Sequence, residues 1–357
     1  MSERAVVMGQ GYVGLPVAIR AVEAGYDVVG FELDETKVAA LNAGSSHVED
    51  ITDERLAAAL ASGRYRASSD TADLADFDIA VISVPTPMRE GAPDLSYIER
   101  ASETLAPFVR EGSTVILEST TYPGTTEELA GPILAAGSGL EVGTGFHLGY
   151  SPERIDPGNA RYHLENTPKV VSGVDETSLH KVDEFFSRLV ETTVPVGGTR
   201  EAELTKLLEN TFRHVNIALV NELAVFAHEL GIDVWEAIDA ASTKPFGYMR
   251  FTPGPGVGGH CLPIDPSYLS WQIERSLGRT FRFVELANDV NSHMPDYVVL
   301  RTGALLNDHS KSVRGSTIVV YGLAYKANTS DARETPSRPV IDQLCRLGAE
   351  VCLVDPH

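Results

Sequence analysis

The sequence predicts an α/β protein with a parallel-sheet domain at its start, a helical domain in its middle and a second, smaller sheet at its end. Three patterns predict this arrangement: strand, glycine turn, helix and strand over residues 5–32, a helical run without glycine or proline over residues 202–230, and strand, helix and strand over residues 316–354. We place the domains at residues 1–200, 201–300 and 301–357. We expect the third to be truncated, because one strand–helix–strand unit has an exposed edge and little core of its own.

The glycine turn of the first pattern carries the clearest functional signal. Two short apolar strands frame Gly9, Gly11 and Gly14, and the second strand is followed by Glu32. Gly9 allows a tight turn, Gly11 lets the backbone approach a pyrophosphate, and Gly14 permits close packing of helix on strand. The Glu32 carboxylate can accept hydrogen bonds from the adenosine ribose and would repel a 2′-phosphate. We therefore predict an N-terminal Rossmann domain that binds NAD, rather than glycines that serve packing alone.

Strands and helices continue to alternate through the rest of this domain. Buried strands are expected at residues 79–84 and 114–119, and Thr86 and Thr120 follow their carboxyl ends, where open parallel sheets bind ligands. Other strand patterns cover residues 146–150 and 169–173. Helical patterns cover residues 97–108, 125–134 and 176–189.

Helical periodicity dominates the middle of the chain. The run from Ala202 to Leu230 predicts a spine helix roughly 43 Å long at 1.5 Å per residue, which often lies between domains or in a dimer interface. A glycine-rich loop at residues 254–259 and helices at residues 268–277 and 282–291 follow. Strands at residues 316–321 and 350–354, with a helix at residues 339–347, then begin a second Rossmann-like C-terminal domain.

Composition excludes several classes of protein. The 357 residues include 29 Lys and Arg against 50 Asp and Glu, and the net charge of -21 argues against a nucleic-acid binder. No apolar run approaches the length of a membrane span, and the N-terminus enters a strand pattern without a signal peptide. Three cysteines are too few for a disulfide framework and favour a reducing cytoplasm. The Cys and His spacing does not support a metal site.

Cys261 is the strongest candidate nucleophile. It lies in a glycine-rich loop just before a predicted helix, where nearby amides can stabilise a thiolate, although a lone cysteine is more often structural. Asp265 follows it by four residues and could orient a base or a water molecule. Cys345 and Cys352 fall in apolar helix and strand patterns and are expected in the core.

Other polar residues could act with this cysteine. Lys206 and Asn210 are four residues apart and share one face of the long helix, although a solvated face would show the same spacing. Glu153 lies in a polar loop, where an ordinary surface carboxylate is the alternative. Lys326 and Arg333 follow a strand end and could hold an anion or pair with nearby acids.

Seven segments occur in order along the whole chain: Gly9-Gln-Gly-Tyr-Val-Gly-Leu-Pro16, Ser83-Val-Pro-Thr-Pro87, Ser119-Thr120 followed by Pro123-Gly-Thr125, Ser151-Pro-Glu-Arg154, Glu203 through Lys206 to Asn210, Gly258-Gly-His-Cys261, and Gly322-Leu-Ala-Tyr-Lys326 with Asp331-Ala-Arg-Glu334. Together they resemble the UDP-glucose/GDP-mannose dehydrogenase family of nucleotide-sugar 6-dehydrogenases. The extended forms of the Pro-Glu and cysteine segments are most similar to the branch that oxidises UDP-N-acetylglucosamine and UDP-N-acetylmannosamine.

The resemblance implies a four-electron oxidation of a sugar C6 hydroxyl with NAD. An aldehyde forms first, a cysteine adds to it to give a thiohemiacetal, a second oxidation leaves a thioester, and water releases the carboxylate. Two residues would stabilise the oxyanion, and three would serve acid–base steps or position water. The implied nucleophile is Cys261, and the implied oxyanion stabilisers are Lys206 and Asn210. The residues implied for acid–base steps or for positioning water are Asp265, Thr120 and Glu153.

The resemblance also implies the binding residues and the partners. The substrate would be a UDP- or dTDP-linked sugar, and a homodimer would form through the central helical domain, without nucleic acid, membrane or metal. The implied NAD contacts are Gly9, Gly11, Tyr12, Val13, Gly14, Glu32, Lys37, Pro85, Thr86, Ser119, Thr120 and Arg333. The implied substrate contacts are Glu153, Arg154, Lys206, Asn210, Arg250, Gly258, Tyr325 and Lys326.

Two positions depart from the UDP-glucose dehydrogenase pattern. Ile264 stands where that pattern has lysine, and Pro157 stands where it has a second glutamate. Glucose specificity is therefore not the first expectation, and we expect a UDP-N-acetylhexosamine as substrate. UDP-glucose or dTDP-glucose is the alternative. A two-electron hydroxyacid dehydrogenase, which has no use for Cys261, and a non-catalytic sugar-nucleotide binder are more remote alternatives.

Overall fold

The computed structural model describes residues 3–89, 91–156, 159, 161–259, 261–325, 332 and 334–356, with the backbone alone for residues 261–263. The chain divides into two compact units, residues 1–206 and residues 207–357. The predicted division into three domains stays a prediction, whereas the α/β class with a parallel sheet in the first unit is confirmed.

The described residues of the first unit form ten strands and six complete helices. The strands are β1 (Arg4–Met8), β2 (Asp27–Phe31), β3 (Tyr65–Ser68), β4 (Ile79–Ile82), β5 (Met88–Arg89), β6 (Ala92–Pro93), β7 (Thr114–Leu117), β8 (His147–Tyr150), β9 (Lys169–Gly173) and β10 (Thr193–Pro195). The helices are α1 (Gly14–Glu23), α2 (Glu35–Asn42), α3 (Asp53–Ala61), α4 (Ser96–Leu105), α5 (Gly131–Ser138) and α6 (Glu176–Leu189). Short 3₁₀ turns cover Thr71–Leu74 and Ala106–Phe108, and a π-helical turn covers Thr126–Ala130.

Eight of these strands form one sheet in the order β10-β9-β8-β7-β4-β1-β2-β3. All pairs in it are parallel except β8 with β9, which is antiparallel. β5 and β6 form a separate antiparallel pair. β2 and β3 lie on one side of β1, and β4 and β7 lie on the other. The winding therefore changes direction between β1 and β4. Doubly wound sheets bind ligands at the carboxyl side of such a point.

Helices cover both faces of this sheet. On one face, Ile19 of α1 and Phe185 of α6 join a buried apolar cluster, and on the other, Leu105 of α4 and Leu134 of α5 join a second. Neighbouring strand residues alternate between the two, with Val7 in the first cluster and Val6 in the second. Because both faces are buried, the strands are continuous apolar runs, which is why the sequence alone predicts them.

The second unit is built on long helices. Its elements are the greater part of α7 (Thr199–Glu229), then α8 (Val234–Ser242), α9 (Cys261–Leu277), α10 (Arg282–Asp308), β11 (Thr317–Tyr321), α11 (Ser337–Arg346) and β12 (Glu350–Val354). β11 and β12 pair in parallel. Among the described residues, no helix combines the length and the hydropathy that a membrane crossing requires.

The predicted spine helix is confirmed as α7, but two other helices differ from their predicted bounds. α9 begins at Cys261 rather than at residue 268. Pro263 is tolerated in its first turn, where a backbone N–H has no helical partner, and Pro266 lies inside the helix. α10 continues through Pro295 to Asp308 instead of ending at residue 291. The sequence analysis did not predict α2, α3, α8, β3 or β10.

The expectation that Cys345 and Cys352 lie in the core is wrong, because both are exposed. Strand side chains alternate, so Val351 packs against the cluster around Leu344 and Cys352 faces the other side of the two-stranded sheet. Cys345 follows Leu344 on α11 and is turned about 100° away from it around the helix.

Candidate active site

The glycine turn follows β1 at the point where the winding changes direction. Gly9 has a φ of 90°, which favours glycine, and its N–H donates to Phe31 O at 2.8 Å. A β-carbon at Gly14 would lie 1.9 Å from Gly9 O, so only glycine lets α1 approach the turn this closely. A β-carbon at Gly11 would meet no described atom within 4 Å, so the backbone is accessible there. The turn therefore fits a bound pyrophosphate.

Glu32 stands beside this turn at the end of β2. Its carboxylate accepts hydrogen bonds from the backbone N–H groups of Gln10 and Asp34, each at 3.1 Å. The buried side chain of Gln10 accepts from Tyr65 Oη at 2.9 Å and donates to the backbone below the turn. Glu32 is thus held where a ribose of the dinucleotide would lie, and the turn fits NAD as the sequence predicts.

The other predicted cofactor residues of this unit lie after strand ends or in helix first turns. Ser119 Oγ donates to Val84 O at 2.8 Å and links the ends of β7 and β4. Thr86 and Thr120 are half-buried in the loops after these strands. Lys37 lies in the first turn of α2. The glycine turn and the loop after β4 also contain Tyr12, Val13 and Pro85.

Four charged residues form a buried group in the first unit, which we call the charged cluster: Glu118, Glu153, Lys169 and Lys206. Lys169 Nζ pairs with Glu118 Oε1, donates to Pro152 O at 3.1 Å and lies 3.4 Å from Glu153 Oε2. Lys206 Nζ donates to the backbone oxygen of Glu153 at 2.5 Å. Glu153 is 7% exposed and Lys206 is 8% exposed, so neither is the surface residue that the sequence left possible.

Burial and neighbouring charges set the ionisation of this cluster. Burial raises the pKa of the Glu118 carboxyl to about 7, against the opposing charge of Lys169 and with a further rise from Glu153. Burial acts on Glu153 in the same direction, but Lys169, the Ile155 N–H and Lys206 hold its pKa below its ordinary value. Although burial opposes it, the two carboxylates raise the pKa of Lys169. Near neutral pH, Glu153 is therefore the more ionised of the two carboxyls.

A buried carboxylate also anchors α7 to the loop after β7. Glu203 accepts from the N–H groups of Gly124 and Thr126, at 2.6 and 2.9 Å, and from Thr126 Oγ1 at 2.7 Å. Burial raises its pKa to about 7. Since Lys206 follows Glu203 by one helical turn, this anchor places Lys206 on the side of α7 that faces the carboxyl ends of the strands.

In the second unit, Asn210 of α7 contacts the start of α9. Asn210 Nδ2 donates to Asp265 Oδ2 at 2.5 Å, and Asp265 is 4% exposed. α9 begins at Cys261, so this aspartate lies one turn beyond the predicted nucleophile on the same helix. The side chain of Cys261 lies outside the described residues. Asn210 on α7 therefore contacts Asp265 on α9, the helix whose first residue is Cys261.

Three buried polar residues and a half-buried one form a second group, which we call the amide network: His214, Asn221 and Asn291, with Asn288. Asn221 Oδ1 accepts from the N–H of Gly254 at 2.9 Å, and its Nδ2 donates to Asn291 Oδ1 at 2.9 Å. His214 Nε2 and Asn288 Oδ1 lie 2.8 Å apart. Burial lowers the pKa of His214, so the ring is uncharged near neutral pH. The network ties the glycine-rich loop to α7 and α10 without charge.

The same loop packs against Tyr325. A β-carbon at Gly258 would lie 2.8 Å from Tyr325 Cβ, and one at Gly259, which has a φ of 86°, would lie 2.7 Å from the ring. Tyr325 lies too close to both positions for a β-carbon to fit without movement. At Gly259 the positive φ favours glycine as well. Of the predicted substrate residues, Gly258 and Tyr325 are thus in contact.

Two other predicted substrate residues have protein partners. Arg154 Nη1 donates to Pro168 O at 2.6 Å, and Arg250 forms an exposed ion pair with Asp239 at 2.8 Å. The predicted anion-binding residues Lys326 and Arg333 lie outside the described residues.

Four residues of the site were not predicted from the sequence: Gln10, Tyr65, Glu118 and Lys169. A usable signal exists for the last two, because each carries a charge at the end of an otherwise apolar strand run. A buried strand carries a charged residue only when a partner compensates it, so two such residues of opposite charge in one sheet indicate a pair, here across the strand β8 that lies between β7 and β9.

Comparison with known proteins places this geometry in a family. Profiles of the UDP-glucose/GDP-mannose dehydrogenase family match residues 3–190 for its NAD binding domain, 200–293 for its central domain and 319–357 for its UDP binding domain. The UDP-N-acetyl-D-mannosamine dehydrogenase of Pyrococcus horikoshii is 37% identical over 99% of this chain and 84% of its own length. The UDP-N-acetyl-D-glucosamine 6-dehydrogenase of Salmonella typhi is 34% identical over 98% of this chain and 81% of its own.

The solved structures agree with the sequence matches. The UDP-D-ManNAc dehydrogenase structure from Pyrococcus horikoshii superposes with a TM-score of 0.93 over 99% of this chain and 83% of that one. The glycine turn and Glu32 fit the NAD that the first matched domain binds. The chain therefore belongs to the UDP-glucose/GDP-mannose dehydrogenase family of NAD-dependent nucleotide-sugar dehydrogenases.

Proposed function

We propose that the chain oxidises the C6 hydroxyl of a UDP-N-acetylhexosamine to a carboxylate, with UDP-N-acetylmannosamine as the first substrate to test. Each turnover converts the CH₂OH group, one water and two NAD⁺ to a carboxylate, two NADH and three protons. The relatives named above support the N-acetylhexosamine, and the departures at Ile264 and Pro157 argue against glucose. UDP-glucose or dTDP-glucose is the alternative.

The start of α9 at Cys261 is the observation that carries the covalent mechanism. A helix N-terminus can stabilise a thiolate at its first position, and Cys261 is the first residue of a 17-residue helix. The thiolate adds to the aldehyde carbon to form a thiohemiacetal. After the second oxidation, the thioester carbon is attacked by water, and the Cys261 sulfur leaves.

Bound NAD accepts a hydride in each of the two oxidations. The protein side of these steps falls to the polar residues on α7, α9 and the loops after β7 and β8. Lys206 and Asn210 stabilise negative charge on the substrate oxygen. Asp265, Thr120 and Glu153 orient water and move protons, and the low pKa of Glu153 suits a base that is ionised at neutral pH.

The substrate contacts remain proposals from the resemblance. Arg154, Arg250, Gly258, Tyr325 and Lys326 would contact the nucleotide sugar, and Arg333 the cofactor. Packing of Tyr325 on the glycine loop supports a role near Cys261, whereas the Arg250–Asp239 ion pair would have to be exchanged for a substrate contact.

The proposed function is tested by purified enzyme, NAD⁺ and a panel of UDP-N-acetylmannosamine, UDP-N-acetylglucosamine, UDP-glucose and dTDP-glucose. We expect two NADH per carboxylate formed, with the highest kcat/KM for an N-acetylhexosamine. Cys261→Ser should abolish carboxylate formation. One NADH per substrate, or unchanged turnover in Cys261→Ser, would contradict the four-electron covalent mechanism.

An exposed apolar stripe on α7 supports the predicted homodimer. In the second unit, large apolar side chains repeat at helical spacing on this helix and are 47–63% exposed, namely Leu208, Phe212, Leu219, Leu223 and Phe226. A second copy of the chain would bury them. Leu223→Glu with Phe226→Glu should shift the mass measured by light scattering from dimer to monomer, and an unchanged mass would contradict this interface.

The cytoplasm stays the predicted compartment. A nucleophilic cysteine has to remain reduced, and reducing compartments preserve free thiols.

A further inference from the structure

Lys169 is the least explained charge of the first unit. It is 2% exposed, and its ammonium is shared by the carboxylates of Glu118 and Glu153 and by the backbone oxygen of Pro152. Desolvation of an ion is costly, and an apolar pair of similar volume is often as stable as a buried ion pair. Stability of the fold alone therefore does not account for these charges.

Lys169 connects the end of β7 to the loop that holds Glu153. Glu118 anchors the ammonium from the end of β7, and Pro152 and Glu153 bind it from the loop after β8. From the other side, Lys206 donates to the backbone oxygen of Glu153. One loop thus lies between two lysines, of which Lys206 belongs to the proposed catalytic group.

We propose that Lys169, anchored by Glu118, is a positioning residue that fixes Glu153 in its ionised form and holds its backbone oxygen on Lys206. This inference rests on the proposed function, because it assigns the cluster a role in the reaction attributed to Glu153 and Lys206. Lys169 touches protein groups only, so it acts on the reaction through its neighbours.

The surroundings of Glu153 support this role. The charged groups facing it are Glu118 from β7, Lys169 from β9 and Lys206 from α7. α6 contributes the uncharged ring of Phe186, whose centroid lies 5.0 Å from Lys169 Nζ. Burial raises the pKa of Glu153, but Lys169, the Ile155 N–H and Lys206 together hold it below its ordinary value, which agrees with a carboxylate kept ionised by its neighbours.

The test separates a positioning role from simple charge compensation. Lys169→Met alone would leave an uncompensated buried carboxylate, so we pair it with Glu118→Gln, which removes both charges at once. If Lys169 positions Glu153, the double variant folds but its Glu153 carboxylate lacks the Lys169 ammonium. We expect kcat at pH 7 to fall about tenfold or more, with KM for NAD⁺ within about threefold. The acid limb of kcat/KM should move to higher pH.

Two matched variants complete the comparison. Glu118→Gln alone keeps an oxygen acceptor for Lys169, so its loss of kcat and its shift of the acid limb should both be smaller than those of the double variant. Ser172→Ala removes a buried 2.7 Å hydrogen bond from β9 to Tyr150 O on β8 without changing charge. It should lower the melting temperature and leave the pH profile unchanged. A folded double variant with wild-type kcat and acid limb would overturn the proposal.

A second measurement covers a double variant that does not fold. Carboxyl ¹³C NMR of the wild type, with Glu153→Gln for assignment, should show Glu153 titrating below the ordinary glutamate range. A midpoint in or above that range would overturn the proposal. This readout needs no turnover, so it remains decisive if no nucleotide sugar is oxidised, which would instead refute the proposed function.

Discussion

The charged cluster of the first unit and the amide network of the second are both buried and both hold a loop, but they do so by opposite means. The charged cluster fixes the Glu153 loop through two lysines and two carboxyls. The amide network fixes the glycine loop at Gly254 through asparagines and a neutral His214. Charge makes the first region responsive to pH. Neutral hydrogen bonds hold the backbone of the glycine-rich loop, which precedes the proposed nucleophile in the sequence, without adding charge to it.

Removal of a catalytic charge from the first region should have the largest effect. Lys206→Met removes the ammonium proposed to stabilise the oxyanion and leaves Glu153 O without that donor. We expect kcat to fall about 10²–10³-fold, because loss of an oxyanion donor has effects of this size. Stopped-flow NADH absorbance would measure it. Lys181→Met, which removes an exposed lysine paired with Glu184 at 3.4 Å, should leave kcat unchanged. Equal losses in both variants would refute a specific role for Lys206.

A charge placed in the amide network should lower the stability of the fold, because the network is buried and uncharged. In Asn221→Asp, the carboxylate can accept from Gly254 but cannot donate to Asn291. We expect a loss of about 2–4 kcal/mol in the free energy of unfolding at pH 8. The loss should be smaller at pH 5, where the new carboxyl can take up a proton. Urea unfolding at both pH values would measure this.

Asn216→Ala is the matched control for this asparagine. Asn216 lies on the same helix and donates to Phe212 O at the surface, at 2.7 Å. It should change stability by about 0.5 kcal/mol or less. A pH-independent loss in Asn221→Asp would contradict the role assigned to the uncharged network.

Glu118 in the first region and His214 in the second should change the stability of the fold in opposite directions as pH changes. Since the folded-state pKa of Glu118 is raised from 4.5 to about 7, the folded protein holds this proton more tightly than the unfolded chain. Its contribution to stability is therefore present below pH 4.5 and is lost as pH rises to about 7. Glu118→Gln should remove on the order of 1–3 kcal/mol of that fall between pH 5 and 7.5, measured by urea unfolding.

Glu184→Gln serves as a surface control for this titration, since Glu184 pairs with Lys181 and Arg188 outside the cluster. It should leave the fall of stability between pH 5 and 7.5 in place. If Glu118→Gln also leaves it in place, the assignment of the raised pKa to Glu118 is wrong.

His214 should give the smallest effect, with the opposite sign. Burial lowers its folded-state pKa, so the unfolded chain binds this proton more tightly, and stability is lost as pH falls below 6.5. His214→Gln should reduce this acid-side loss in thermal melts between pH 7 and 5. His293 is exposed, and a hydrogen bond to Asp289 O and the Asp289 charge raise its pKa. His293→Gln should therefore change stability in the other direction, and like signs in the two variants would refute the comparison.

Local sequence patterns predict the first unit well because their physical causes are local. The glycine turn is required by the φ of Gly9 and the close approach at Gly14, and both constraints lie within six residues. The buried strands are continuous apolar runs. Helices α2 and α3 were not predicted because they present few buried residues. The start of α9 was placed at residue 268 because Pro263 resembles a loop signal, although helices accept proline in their first turn.

Residue type and short spacing were enough to predict the family, the NAD turn, the spine helix and the identity of the proposed nucleophile. Tertiary packing was needed to show that Glu153 and Lys206 are buried rather than solvated, that Lys169 joins Glu153 to Glu118, and that Asn221 holds the glycine loop. The residues in these contacts are 16 to 53 positions apart in the sequence. Whether a charge is paired or solvated depends on what the fold packs beside it, which no local pattern specifies.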